Sequence, residues 1–167
     1  MFLDDSKLFE RVKLYARTHN RIVAEHKKLG YGSDGTVWRS RETAIKAIHH
    51  EYNYQVERDS YLRLREANVN SVGEFALPRL LNHDDDLMII ELEIVEPPYI
   101  LDFGKVYLDI PPIYWNDQQI RTNAYEEWQE RFDSHWESVA AAMAWLERLG
   151  IYYVDPRPSN ICTDGLE

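Results

Sequence analysis

The chain carries a single cysteine, Cys162, in 167 residues. One cysteine excludes an internal disulfide and any zinc site built from cysteines, and it fits a reducing compartment. Long hydrophobic runs are missing too. The most apolar stretch, Leu87 to Val95, is interrupted by Glu91 and Glu93 and is far too short to span a bilayer. The start, MFLDDSKLFE, lacks the basic-then-apolar layout of a signal peptide. There is no internal repeat and no low-complexity tract. These absences predict a soluble, cytoplasmic protein with no membrane partner.

Positive charge is scarce in the second half. Residues 1–81 hold 14 Lys and Arg against 11 Asp and Glu, whereas residues 82–167 hold 5 against 18, for a total of −10. An acidic half of this kind repels phosphate backbones, so nucleic acid is not an expected partner. It reads either as a solvated acidic surface or as a half that meets cations, whether metal ions or a basic partner. With 44% hydrophobic and 13% aromatic residues, the chain has ample material for a core in one domain or two small lobes.

The pattern along the chain predicts an α+β layout. Asp4, Asp5 and Ser6 offer N-caps to a first helix with Leu8, Val12 and Tyr15 on one face. Three strands follow, in IVAEHKKL, TVWRS and TAIKAIH. A second helix fits residues 51–67, where Tyr54, Glu57, Tyr61 and Leu64 form one stripe. FALPRLLNH and LMIIELEIV then flank the turn Asp84-Asp85-Asp86 as a hairpin. A Pro-rich connector leads to one long predicted helix over residues 117–149, closed by Gly150 and followed by a Pro-stiffened loop.

Three groups of residues carry chemical meaning. Gly30, Gly32 and Gly35 space a loop whose backbone can approach a polyphosphate closely. The loop leads into strand-like Thr36-Val37-Trp38-Arg39, which favours a hairpin lid over a dinucleotide fingerprint, although hairpin turns collect glycine anyway. Lys46, in the apolar strand Ala44-Ile45-Lys46, needs an anionic partner if it faces inward. Glu57 on the inward stripe of the next helix is the expected partner, and Glu51 a less well placed one. Singly, these are also ordinary surface charges. Finally, Asp155-Pro156-Arg157-Pro158-Ser159-Asn160 places a carboxylate, a guanidinium and a carboxamide on one stiff loop, suited to phosphoryl transfer or simply to an acidic turn.

Taken in order from Ile22 to Thr163, these motifs resemble the protein-kinase-like superfamily. The resemblance implies a five-stranded antiparallel N-lobe sheet with an αC-type helix over residues 1–96. The hinge connector, the long helix and the catalytic loop of a truncated helical C-lobe would fill 97–167. It implies ATP and Mg²⁺ as cofactors. Gly30, Gly32 and Gly35 would cover the phosphates, and Lys46, paired with Glu57, would contact the α- and β-phosphates. Val37, Ala44, Glu93 and Val95 would line the nucleotide site, with Glu93-Ile94-Val95 as the hinge and Leu92 near the gatekeeper position. Asp155 would be the catalytic aspartate, Arg157 would neutralise the transferring phosphoryl group, and Asn160 would bind the metal.

The departures are equally specific. Tyr153-Val154 stand where the family commonly has His-Arg, so control by a phosphorylated activation loop is not expected. The interval from Lys46 to Glu57 is short for the family. Downstream of Asn160, where the family continues to Asp-Phe-Gly and the remaining helices, only Ile161 to Glu167 follow, and Asp164 is the stand-in candidate for the second metal ligand. A literal Asp102-Phe103-Gly104 occurs upstream, in the connector, where sequence order argues that it is accidental. The expectation is therefore a phosphotransferase to a Ser or Thr hydroxyl, impaired by the missing segment. The alternative is a pseudokinase or truncated module that works by binding a protein or dimerising through an uncovered C-lobe face.

Overall fold

The computed structural model describes residues 4–166; Met1–Leu3, which open the stretch read above against a signal peptide, and Glu167 lie outside it. Helix α1 (Asp5–Thr18) starts where the Asp4 carboxylate accepts from Ser6 N–H, and it buries Leu8, Phe9, Val12, Tyr15 and Ala16. Strands β1 (Lys28–Tyr31), β2 (Gly35–Ser40) and β3 (Thr43–Ile48) follow, then α2 (Glu51–Glu66). The short pair β4 (Ser71–Val72) and β5 (Phe75–Ala76) precedes the hairpin β6 (Leu80–Asp84) and β7 (Ile89–Glu93). Next come β8 (Tyr99–Ile100), β9 (Tyr107–Leu108), α3 (Gln118–Phe132), α4 (Trp136–Glu147), β10 (Ile151–Tyr152) and β11 (Ile161–Cys162).

The main sheet has five strands in the order β1-β2-β3-β7-β6, every pair antiparallel. Side chains alternate across it with a period of two. Ile45, Ala47 and Ile89 turn towards α1, where they pack with Leu8, Val12, Tyr15 and Trp38. Ile48, Ile90 and Leu92 turn the other way, into a larger core shared with α2, α3 and α4. Lys46 lies on that second face, between the sheet and α2. Glu91, on the α1 side, is fully buried and accepts from Tyr15 Oη at 2.8 Å, Arg21 Nε at 2.7 Å and Thr43 Oγ1 at 2.9 Å. These bonds explain how an apolar strand tolerates a charge. They also anchor α1 to the sheet.

Two expected elements come out differently. The first strand begins at Lys28, not Ile22, because a turn closed by Lys27 N–H to the Ala24 carbonyl occupies the preceding residues. The single long helix is two. Asp133 adopts a left-handed φ of 47°, which an α-helix cannot propagate, and a 3₁₀ turn over Asp133–His135 redirects the chain. The break lets Trp128 and Phe132 of α3 and Val139, Met143 and Leu146 of α4 enter one core. Trp115, Tyr125 and Trp136 pack around Trp128, with Trp115 stacked on it at 5.6 Å. Among the described residues, no helix is long and apolar enough to cross a membrane.

The helical part is held to the sheet through α2. Arg63 of α2 forks onto Asp109 at 2.8 and 3.1 Å and also donates to the carbonyls of Leu149 and Gly150. Gly150, with φ of 69°, closes the turn that follows α4 and its Arg148 C-cap, and a Cβ there would stand 2.6 Å from the Arg63 guanidinium. The helix that carries Glu57 is thus fastened at its C-terminal half.

Candidate functional site

A cavity of about 640 Å³ opens between the sheet and the helical part. The β1–β2 hairpin overhangs it, α2 backs it, and the loop from Tyr153 to Asn160 forms its floor. Gly30, Gly32, Gly35, Val37, Ala44, Lys46, Glu57, Glu93, Val95, Asp155, Arg157 and Asn160 all line it. Asp164 does not. It lies exposed on the turn after β11.

The centre of the cavity is an ionic triad. Lys46 Nζ contacts both Glu57 carboxylate oxygens at 2.8 Å and Asp102 Oδ1 at 3.0 Å. Lys46 and Glu57 are buried, at 9% and 1% exposure. Burial alone would lower the Lys46 ammonium, but Glu57 and Asp102 more than offset it and hold it above the ordinary lysine value. One ammonium cannot fully compensate two carboxylates. Burial therefore pushes Glu57 up to about 7, opposed by Lys46 and assisted by repulsion from Asp102. Burial also acts to raise Asp102, yet the attraction of Lys46 and a hydrogen bond from Gly104 N–H hold it below the usual carboxylate range.

Asp102 is the residue that sequence order set aside, yet the fold brings it into the cavity beside Lys46. Two small antiparallel ladders bring the segment to the floor of the cavity. β8, just before Leu101-Asp102, pairs with β11, just after Asn160. β9, just after Phe103-Gly104, pairs with β10, just before Asp155. Leu101 N–H donates to the Asn160 carbonyl at 2.7 Å, so Asp102 and Asn160 are neighbours across this junction. Phe103 is fully buried and meets Tyr61 and Tyr153 edge-on at 5.1 and 5.8 Å. Tyr153 Oη donates to the carbonyl of Leu101 at 2.7 Å, fixing the backbone that presents Asp102. Nothing in the linear pattern distinguishes these partners, since β8 and β11 are only two residues long.

On the loop, Asp155 pairs with Arg157 Nη2 at 2.6 Å, and Arg131 of α3 stands 3.9 Å away while donating to the Pro156 carbonyl at 2.6 Å. Asn160 N–H closes the turn onto the Arg157 carbonyl at 2.8 Å. The Asp155–Arg157 pair is open to solvent, so it orients these groups more than it stabilises the fold.

The glycines divide into two kinds. A Cβ on Gly35 would lie 2.2 Å from the Ala47 carbonyl oxygen, so the β2–β3 approach itself requires glycine there. Gly30 and Gly32 have nothing within 4 Å of a Cβ and no left-handed φ. Neither the backbone nor a neighbour demands glycine at these two lining positions. Gly35→Ala is expected to cost about 3 kcal/mol, whereas Gly30→Ala and Gly32→Ala should hold the melting temperature or raise it by roughly 1–4 °C. Thermal melts of the three variants test this; equal losses at all three positions would contradict the division.

Lining the cavity are three cationic side chains, Lys46, Lys105 and Arg157, against five carboxyl groups, Asp34, Glu57, Glu93, Asp102 and Asp155. Among the described residues, no group of three or more His, Cys, Asp or Glu is arranged to hold a metal ion. Of the lining side chains, Asp102 and Asn160 would offer oxygen donors to a cation whose remaining ligands came from a bound phosphate and water. No protein-family model matches the chain, and no curated protein matches it either.

Proposed function

We propose that this chain binds a nucleoside triphosphate with Mg²⁺ and transfers its terminal phosphoryl group to a Ser or Thr hydroxyl, as a protein-kinase-like phosphotransferase. The observation that carries the reading is the Lys46–Glu57–Asp102 triad beside Asn160, under a hairpin whose Gly30 and Gly32 leave open space. In the family's order, Asp-Phe-Gly follows the loop asparagine by one hairpin. Here the β8–β11 pairing joins the same two pieces with the Asp-Phe-Gly segment arriving from upstream. On this reading spatial adjacency replaces sequence order, and Asp102 stands in for the aspartate of the family's downstream Asp-Phe-Gly.

The electrostatics agree with a metal-borne nucleotide. A triphosphate meeting a lining with more carboxyl groups than cations is repelled unless divalent cations accompany it. Asp102, held ionised, and the Asn160 carboxamide would hold Mg²⁺, which screens charge on the phosphate oxygens. Lys46, steadied by Glu57, orients the inner phosphates. Asp155 accepts the proton of the attacking hydroxyl as its oxygen bonds to the terminal phosphorus. The bond from that phosphorus to the bridging oxygen breaks, and the diphosphate leaves with the electron pair.

A second reading, nucleotide binding without transfer in a pseudokinase that acts on a protein partner, draws on the 2.6 Å pair that occupies the Asp155 carboxylate. One experiment divides the two. At ligand concentrations of 100 times Kd, ATP with Mg²⁺ should stabilise the wild type by about 2.7 kcal/mol, and Lys46→Ala should show no such shift. Radiolabel from γ-labelled ATP should reach an acceptor protein with wild type and fall to background with Asp155→Ala. Stabilisation without incorporation selects the pseudokinase; no stabilisation under any condition removes nucleotide binding altogether.

A further inference from the structure

The β1–β2 hairpin is tied down by a lysine from the far side of the cavity. Lys105 Nζ stands 3.0 Å from Asp34 Oδ2 and donates to Ser33 Oγ at 3.0 Å. Asp34, at the hairpin tip, is only 7% exposed and also accepts from Asn53 Nδ2 of α2 at 2.8 Å, so its carboxylate has a fixed place. Lys105 itself is half exposed and lines the cavity. It follows Gly104 directly, so it shares a short segment with Asp102, and its charge acts on that carboxylate.

The sheet register gives this contact a direction. Along β3 the partners run Thr43–Glu93, Ala44–Leu92 and Lys46–Ile90, and then reach Ile48, which faces Gly35 across β2. The hinge segment after Glu93 thus marks one end of the cavity, Lys46 the middle, and the hairpin turn before Gly35 the other end. A nucleotide with its base at the hinge points its last phosphate at Ser33, Asp34 and Lys105. Lys46 has both carboxylates of the triad around it, but Lys105 has a single carboxylate partner and a solvent-facing side.

We infer that Lys105 is a second phosphate-binding cation, paired with Asp34 until a nucleotide arrives, that contacts the terminal phosphate and makes the site prefer a nucleoside triphosphate to the diphosphate. The inference rests on the nucleotide-binding reading above. Loss of one charge-assisted contact predicts that Lys105→Met weakens ATP binding roughly tenfold while ADP and adenosine change little. Asp34→Asn breaks the ion pair but keeps the lysine, so the preference for ATP survives in it.

Calorimetric titration of wild type, Lys105→Met and Asp34→Asn with ATP, ADP and adenosine, each with Mg²⁺, tests the assignment. Preference lost in Lys105→Met and kept in Asp34→Asn supports it. Equal loss in both variants makes the contact a purely structural clasp and overturns it, as does an unchanged preference in Lys105→Met. A wild type that binds none of the three ligands overturns the nucleotide reading itself, which is a different result from a wild type that binds all three without regard to Lys105.

Discussion

Lys46→Met should lower the melting temperature by roughly 10 °C and remove the response to ATP. The substitution takes one cation from between two carboxyl groups, Glu57 and Asp102, that both point at it. Breaking a buried ion pair from one side costs about 3–5 kcal/mol, and at this chain length each kcal/mol moves the midpoint by roughly 2–4 °C. The deficit should depend on pH. Glu57 is already raised from its ordinary 4.5 to about 7, so between those values the folded state binds more protons than the unfolded one. Its contribution to stability is therefore full below the lower value and is lost as pH rises through the upper one. Without Lys46 the carboxyl loses the group that pulls its titration down, so the window extends upward. Melts of wild type and Lys46→Met across this range should show the gap widening above about pH 7 and narrowing towards about pH 5. A gap independent of pH would mean that Lys46 does not act through Glu57.

Asp102→Asn should have the opposite profile: a stable protein with little activity. The amide oxygen can still accept from Lys46 and from Gly104 N–H, while the charge that repels Glu57 is gone. Glu57 should then titrate lower, and the melting temperature should hold or rise. Phosphoryl transfer should fall by roughly 10² to 10³-fold, and the Mg²⁺-dependent part of the ATP stabilisation should disappear. Stability and activity thus separate at Asp102 and fall together at Lys46. Transfer and Mg²⁺ response undiminished in Asp102→Asn would exclude Asp102 as a metal ligand. It would leave its bond to Lys46 as a structural one.

The parts of this site that were legible in advance share a property: each is set by neighbours a few residues away. The alternation around Ala44-Ile45-Lys46 puts the lysine on the face opposite Ile45, and the stripe Tyr54, Glu57, Tyr61, Leu64 puts Glu57 on the inward face of α2. Both follow from the periods of a strand and a helix, so their meeting at 2.8 Å needed only α2 to pack on the sheet. The broken helix was less visible. Asp133 bears no Gly or Pro signal, and its left-handed turn is imposed where α3 and α4 must both reach the core.

From the sequence alone came the α+β class, the hairpin glycines, and Lys46 and Glu57 as partners, because periodicity and turn chemistry act locally; the joining of the strands into one five-stranded sheet was what the family resemblance implied. That Asp102 lines the cavity while Asp164 lies outside it belonged to the tertiary structure. Asp102 lies 56 positions from Lys46, and it reaches that lysine through ladders of two residues each, too short to leave a pattern. What holds it there is a buried Phe103 ring, a tyrosine bond to its backbone and a lysine that a single carboxylate did not saturate. Those are long-range terms of packing and charge, and they exist only once the chain has closed.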